Sequence, residues 1–254
     1  PQDALGWMSA DDWRQHGADS PPILLGRLNE VACFAVDVSG HGPAVQDWSQ
    51  ASRYRFVEAR TAAEFLNGAD CGIVAQARSH VNWHSQKGFC SKCGHQTTVK
   101  RGGQIRQCPN CRTEHYPRTD PVVITVVSDG DRCLLGQSRG ILSRAGRFSA
   151  LAGFVDQGES IEEAVAREVM EEAGIGVKNV RYQSSQPWPF PNSLMIGCHA
   201  DADTTDISID NEEMADVRWF QRTEVLSALE GKNQTLALPG PIAIAYHLIR
   251  AWAT

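Results

Sequence analysis

Glu168, Glu171 and Glu172 lie within five residues of one another. In a helix, at about 100° per residue, they would fall within an arc of about 100°. Three carboxylates that close repel one another. They stay ionised together only with cations between them, and otherwise their pKa values rise. Such a set of oxygen donors suits a hard divalent cation, Mg²⁺ or Mn²⁺. A solvated acidic helix laced by i,i+4 pairs, such as Glu163 to Arg167, explains the same residues, and the helix alone does not decide between the two.

A second constellation is Cys90-x2-Cys93, fourteen further residues, then Cys108-x2-Cys111. Each pair closes a small loop that aims two thiolates at one ion, and two loops complete a tetrahedron. All four positions are cysteine, so no water position is left open and the expected zinc is structural. The competing reading is a pair of redox dithiols. Gly94 and Pro109 suit the tight turns. Lys100, Arg101 and Arg106, between the pairs, read as a solvated hairpin before they read as a nucleic-acid stripe.

The elements that must carry these groups follow from patterning. Ser160 and, three residues on, Glu163 form a capping-box sequence, and Gly174 marks a stop, which predicts a helix of about 13 residues. Ala166, Val169, Met170 and Ala173 form its opposite, core-facing side. Pro121–Val127 predicts a buried strand, Asp129-Gly130 a turn and Cys133–Gly136 a partner strand. A basic loop (Arg139, Arg144, Arg147) precedes the acidic helix, and a closing helix runs from about Pro241 to Trp252. Ser185–Ser193 contains three prolines, which predict an extended loop holding Trp188 and Phe190 as rigid aromatic platforms.

Residues 86–119 are too poor in large apolar side chains to build a core and need a metal. Residues 1–85 read as an α+β scaffold or dimerisation domain. Its strands are expected at Ile23–Gly26, Val31–Val36 and Tyr54–Val57. One helix is capped by Thr61 and runs through Leu66, and a second spans Ala69–Trp83. The expected fold class is α+β or α/β, in three domains: 1–85, 86–119 and 120–254.

The 254 residues are 42% hydrophobic and 21% charged, an ordinary globular composition. A net charge of −6 argues against a protein built mainly to hold nucleic acid. There is no run of 18 apolar residues, so no spanning helix is expected, and no secretory leader is evident. Cysteines paired for a metal predict a reducing compartment, the cytoplasm first. Residue 1 is Pro, so a processed or truncated chain is expected, and a peroxisomal or mitochondrial address is the alternative if a targeting segment was removed.

Gly153 to Ile175 resembles the 23-residue box of the Nudix hydrolases: Gly153, five residues, Glu159, seven residues, then Arg167-Glu168-Val169-x-Glu171-Glu172-x-Gly174-Ile175. Ser185-Gln186-Pro187-Trp188-Pro189-Phe190-Pro191-Asn192-Ser193 is similar to the signature of the NADH pyrophosphatase subfamily. That subfamily also carries a four-cysteine zinc ribbon and a domain ahead of it. The resemblance implies a Nudix α/β/α sandwich at the C-terminus, preceded by the ribbon and the N-terminal α+β domain. It implies Mg²⁺ or Mn²⁺ held by Glu168, Glu171, Glu172, the Ala152 carbonyl and Glu213, with Glu212 adjacent as the alternative. It implies aromatic substrate contacts at Tyr116, Phe154 and Trp188. Further substrate contacts are implied at Gln186, Pro187, Pro189, Phe190, Pro191, Asn192 and Ser193, and at the Ala245 backbone. The implied reaction cleaves the diphosphate of NAD(H) to NMN(H) and AMP in a homodimer. Glu172 is the expected base, with Glu213 as the alternative, and Arg167 orients the glutamates. NAD-capped RNA, NADPH or ADP-ribose as main substrate, and a binding module without turnover, are the other readings.

Overall fold

The computed structural model describes residues 4–11, 20–39, 42, 45, 55–140, 143 and 145–254. They fall into two units, Pro1–Thr119 with Pro189–Asn192, and Asp120–Trp188 with Ser193–Thr254. No helix among the described residues is long and apolar enough to cross a membrane.

In the first unit, β1 (Ile23–Leu28) and β2 (Val31–Ala35) form an antiparallel hairpin with an irregularity at Leu24/Gly26. A single helical turn α1 (Ala59–Ala62) precedes the long helix α2 (Gly68–Gln86). Two expectations are corrected here. Arg55–Val57 is not a strand, and Tyr54 lies outside the described residues. Thr61 does not cap a helix: it sits inside α1, and the Glu58 carboxylate takes the capping bond from the Thr61 N–H. A carboxylate is the better partner at a helix start, where backbone N–H groups carry partial positive charge. Asn67 caps α2 through the Asp70 N–H, so the helix starts one residue before the expected Ala69 and runs three beyond Trp83.

The cysteine segment forms the small sheet β3 (Thr98–Lys100), β4 (Ile105–Gln107) and β5 (Glu114–His115). The rest of the first unit grips it. Gln104 Nε2 donates to Leu24 O at 2.6 Å, and the His84 ring meets Gly103 O at 2.7 Å. Arg106 donates to Thr97 Oγ1 at 2.7 Å and contacts His84 Nδ1 at 3.1 Å. Arg101 pairs with Glu114. Two of the three cations between the cysteine pairs therefore serve the fold.

The second unit is built on one mixed sheet in the order β11 (Met214–Gln221), β7 (Arg132–Ser138), β6 (Asp120–Asp129), β10 (Ser193–Ala202), β9 (Val177–Trp188). β8 (Leu151–Phe154) pairs with the first half of β6 and β7 with its second half. β10 runs parallel to β6, and the other pairings are antiparallel. Alternation along β6 splits the core. Val123 and Val127 face α3 (Ile161–Ala173). Ile124 and Val126 face α4 (Arg222–Leu229) and α5 (Ile244–Ala253). The sheet is thus packed between helices on both faces, as the family resemblance implied.

The acidic helix spans the predicted residues. Ser160 and Glu163 make the reciprocal capping box, and Gly174 closes the helix at φ 69°. Its core face differs from expectation. Ala164, Val165, Val169 and Ala173 are buried, but Met170 is half exposed and Glu172 is buried instead. The closing helix starts three residues later than predicted, after the extended Ala243. Ser185–Trp188 is strand rather than loop. Pro187 is tolerated because β9 is the edge of the sheet, where a missing N–H breaks no ladder. Arg144 of the basic loop lies outside the described residues.

Candidate functional site

The acidic helix is locked to β8 by two features of its sequence. Gly153 is the first. A Cβ there would stand 1.9 Å from Glu168 Cδ and 2.1 Å from both carboxylate oxygens, so any other residue would have to displace the Glu168 carboxylate. Arg167 is the second. Its guanidinium donates to Glu168 Oε1 at 2.8 Å, Glu171 Oε2 at 2.9 Å, Glu159 Oε2 at 2.8 Å and the Phe154 carbonyl at 2.8 Å. These are the charge-assisted bonds expected of an orienting residue. They draw the Glu159 carboxyl down to about 2. Replacing Gly153 with alanine is expected to push Glu168 off β8. Turnover should fall at least 100-fold and the melting temperature should drop, since overpacking costs about 1–3 kcal/mol. Wild-type values for both in a melting and turnover assay would show that Glu168 does not need this contact.

Glu172 is the unusual group. It is 6% exposed, the Ala152 N–H donates to it, and its Oε2 has no hydrogen-bond partner. Burial pushes its carboxyl up to about 8, and the charges of Glu168, Glu213 and Glu171 add to the effect. Glu168 is raised by burial too, against the pull of Arg167 and again with Glu171 and Glu213 contributing. Glu168 and Glu172 both lie in the field of Glu171 and Glu213. The Glu213 carbonyl accepts from the Arg139 N–H at 2.8 Å, and Arg139 Nε donates to Asn211 O at 2.7 Å. No three carboxylates of this set have donor atoms within 4.8 Å of one another among the described residues. Arg167 occupies the space between Glu168 and Glu171.

A buried carboxylate oxygen without a partner fits a cation. In an extended strand the N–H and C=O of one residue share an edge, so the Ala152 carbonyl lies on the same edge of β8 as the N–H that meets Glu172. The metal-free chain carries a consequence. The folded pKa of Glu172, about 8, exceeds the ordinary carboxyl value of 4.5, so the folded chain binds this proton more tightly than the unfolded one. That stabilisation is complete below pH 4.5 and is lost as pH rises to 8. At about 1.4 kcal/mol per pKa unit it amounts to a few kcal/mol. Melting curves in EDTA should fall across this window, and added Mg²⁺ should flatten the slope. A flat curve in EDTA would mean that Glu172 is ionised without a cation.

The other residues singled out in the sequence divide between the units. By register, Phe154, Val122, Met195 and Gln186 form one row across β8, β6, β10 and β9. Met195 and Ala152 pack into the α5-side core, so alternation puts Phe154, Gln186 and Trp188 on that same face. At about 4.8 Å per strand the row spans about 14 Å. Phe154 is 58% exposed. The Gln186 amide bonds to the backbone at the start of α5, where Ala245 is buried. Pro187 and Ser193 pair with their neighbours in the β9–β10 ladder. Tyr116 belongs to the first unit, exposed, its hydroxyl donating to Glu114 at 2.6 Å. Pro189, Phe190, Pro191 and Asn192 group with the first unit as well. There Arg78 Nε donates to the Pro189 carbonyl at 2.8 Å, and the guanidiniums of Arg60 and Arg78 lie 5.2 and 4.9 Å from the Phe190 ring centre. Arg60 and Arg78 were not singled out in the sequence. They meet the Phe190 ring, and Arg78 the Pro189 carbonyl, across long separations, which no local pattern announces.

The four thiols of the first unit gather within 4.8 Å. Cys90–Cys111 is 3.6 Å, and Cys93 lies 3.4 Å from both Cys108 and Cys111. These separations are a few tenths of an ångström below the ~3.8 Å edge of a tetrahedron with ~2.3 Å Zn–S bonds. The two knuckles repeat one hydrogen-bond pattern. Cys90 N donates to His95 O and Gly94 N to Cys90 O, and likewise Cys108 N to Thr113 O and Arg112 N to Cys108 O. The left-handed position is Gly94 in one and Arg112 in the other. The His95 backbone N–H and the Asn110 amide bring the Cys93 thiol down to about 5, and the His115 ring reaches Cys90 Sγ at 3.3 Å. Thiolates supported by such outer partners are the expected zinc ligands. All eight cysteines are free of disulfides.

Three family models match the chain: the NUDIX domain over residues 117–238, the NADH pyrophosphatase-like rudimentary NUDIX domain over 2–83 and the NADH pyrophosphatase zinc ribbon domain over 85–116. Human "NAD-capped RNA hydrolase NUDT12" is 47% identical over 198 residues, covering 74% of this chain and 42% of that protein. Mouse "NAD(P)H pyrophosphatase NUDT13, mitochondrial" is 44% identical over 209 residues, 78% of this chain and 59% of that protein. The chain thus spans less than two thirds of the length of either relative. "Nudix hydrolase 19, chloroplastic" of Arabidopsis thaliana is 36% identical over 308 aligned positions, 98% of this chain and 69% of that protein. With its box helix packed against β8 and four thiols gathered ahead of it, the chain belongs to the Nudix hydrolase family and carries that family's NADH pyrophosphatase zinc ribbon.

Proposed function

We propose that the chain hydrolyses the diphosphate bond of NAD(H), giving NMN(H) and AMP, with Mg²⁺ or Mn²⁺ held by Glu168, Glu171, Glu172, Glu213 and the Ala152 carbonyl. The observation that carries this reading is the buried, unpartnered Glu172 oxygen among three further carboxylates. When bound, a divalent ion neutralises the charge that develops on the two phosphates. Glu172 takes the proton of the attacking water. Arg167 keeps Glu168 and Glu171 apart and aimed. Tyr116, Phe154 and Trp188 hold the rings of the dinucleotide, and the stretch through Ser193 lines the same substrate. The zinc is structural. Residues 1–85 act as scaffold and pairing surface in a homodimer, and the free thiols suit a reducing compartment.

The test is release of AMP from NADH with Mg²⁺, followed by chromatography. A chain that binds NADH and releases no AMP with either metal would sink the hydrolase reading. The name of the NUDT12 relatives supports NAD-capped RNA as a second substrate. kcat/KM for NADH, NAD⁺, NADPH, ADP-ribose and NAD-capped RNA would rank the two readings.

A further inference from the structure

Gln186 lies on β9 in the row with Phe154, and both ends of its side-chain amide are engaged. Nε2 donates to the Ile242 carbonyl at 2.8 Å, and Oε1 accepts from the Ile244 N–H at 2.8 Å. These two backbone groups flank Ala243, the residue that precedes α5, which is extended at φ −95° and ψ 136°. Around an extended residue the preceding C=O and the following N–H project to one side. A primary amide, with a donor and an acceptor side by side, matches that pair as a neighbouring strand would. Ala243 has no side chain able to cap, and no side chain of the local segment caps α5. Gln186 therefore supplies the cap from another strand, which satisfies an otherwise open N–H of the first turn.

The neighbours fix the same point. A Cβ at Gly197 would stand 2.9 Å from Ile244 Cδ1 and 3.0 Å from Leu248 Cδ2, so α5 rests directly on β10. The His199 ring bonds to Leu248 O at 3.0 Å and the His247 ring to Pro241 O at 2.8 Å. The first turn of α5 then has one place relative to β9. Trp188, two residues beyond Gln186, shares its face. One strand thus bears both an aromatic platform and the amide that locates the Ala245 backbone.

We infer that Gln186 is a positioning residue: it holds the first turn of α5, and with it the Ala245 backbone, in register with Trp188 for the dinucleotide. This rests on the NAD(H) reading. The carboxylates lie toward α3, on the other face of the sheet, so the effect falls on binding more than on the bond-breaking step.

The experiment compares wild type with Gln186→Met and Gln186→Glu, after circular dichroism has confirmed that each folds. Hydrogen exchange of the Ile244 and Ala245 amides should quicken in Gln186→Met. NADH binding in EDTA, read by NADH fluorescence, should weaken at least tenfold (about 1.4 kcal/mol), and KM should rise more than kcat falls. Gln186→Glu keeps the acceptor and regains the donor only when protonated. Its binding defect relative to wild type should therefore shrink from pH 7 to pH 5, a recovery that a merely structural role would not produce. Unchanged exchange in Gln186→Met, or faster exchange with unchanged NADH binding, would overturn the inference. So would a loss confined to kcat. A wild-type chain that binds NADH but never cleaves it would sink the hydrolase reading alone, because the exchange and binding readouts need no turnover.

Discussion

Glu172→Gln should abolish most turnover and at the same time stabilise the metal-free chain. Glutamine keeps the shape of the side chain but can neither accept a proton from water nor offer an anionic oxygen to a cation. Each tenfold loss corresponds to about 1.4 kcal/mol of barrier, and removing both roles at once should lower kcat by three to five orders of magnitude. Stability should move the other way. The wild-type carboxyl is buried, unpartnered at Oε2 and pushed up to about 8, so at pH 8 the fold bears the cost of a half-ionised buried group. Glutamine is neutral at every pH. In EDTA the mutant should melt higher than wild type at pH 8 and lack most of the decline between pH 4.5 and 8. With Mg²⁺ the order should reverse, since a cation stabilises only the chain that binds it. AMP release from NADH and melting curves with and without EDTA read all of this. Near-normal kcat would remove Glu172 from the base role. A metal-free mutant that melts lower at pH 8 would mean that the buried carboxylate has a partner in solution.

Much of this site was legible because its signals are local. The capping box at Ser160 and Glu163 and the stop at Gly174 fixed the ends of α3 within one segment. The spacing of Glu168, Glu171 and Glu172 fixed one face. Two cysteine pairs declared a four-thiol site in a stretch with too little apolar material to fold otherwise. What stayed hidden depended on tertiary contact. Helical angle alone assigned Met170 to the core, yet Glu172 is buried in its place, because the carboxylate face and part of the buried face of this short helix coincide. The box motif includes Gly153, but only the approach of Glu168 shows what a side chain there would displace. Pro187 read as a loop residue because proline disrupts sheets in general, and nothing in the sequence said that β9 is an edge. Gln186 read as a substrate contact from its motif, while its partners, Ile242 and Ile244, lie more than fifty residues away. The left-handed residue of the second knuckle is Arg112, which its residue type did not suggest. Residues 2–83 match a rudimentary NUDIX domain, although they contain no box to reveal it.

Cys93→Ser should act in the opposite order to Glu172→Gln, with the fold failing before the chemistry. β3, β4 and β5 are only three, three and two residues long, and Cys90 and Cys108 are themselves among the buried residues that hold them. Without a metal the segment has almost nothing to pack. Binding free energies of about 10–16 kcal/mol for structural zinc in small domains show how much of such a fold the ion supplies. Cys93 is central to the cluster, 3.4 Å from two other sulfurs, and serine offers a poor ligand at the same position. Zinc content should fall from about one ion per chain toward none, and the melting temperature should drop by at least about 10 °C. The loss should spread through the first unit, because Gln104, His84 and Arg106 tie the ribbon to β1 and α2. The box carboxylates belong to the second unit, so preparations that remain soluble should keep part of kcat. Elemental analysis, melting curves and kinetics on one preparation distinguish these outcomes. A soluble, zinc-free chain with full activity and an unchanged melting temperature would show that the four thiols serve some purpose other than holding the fold.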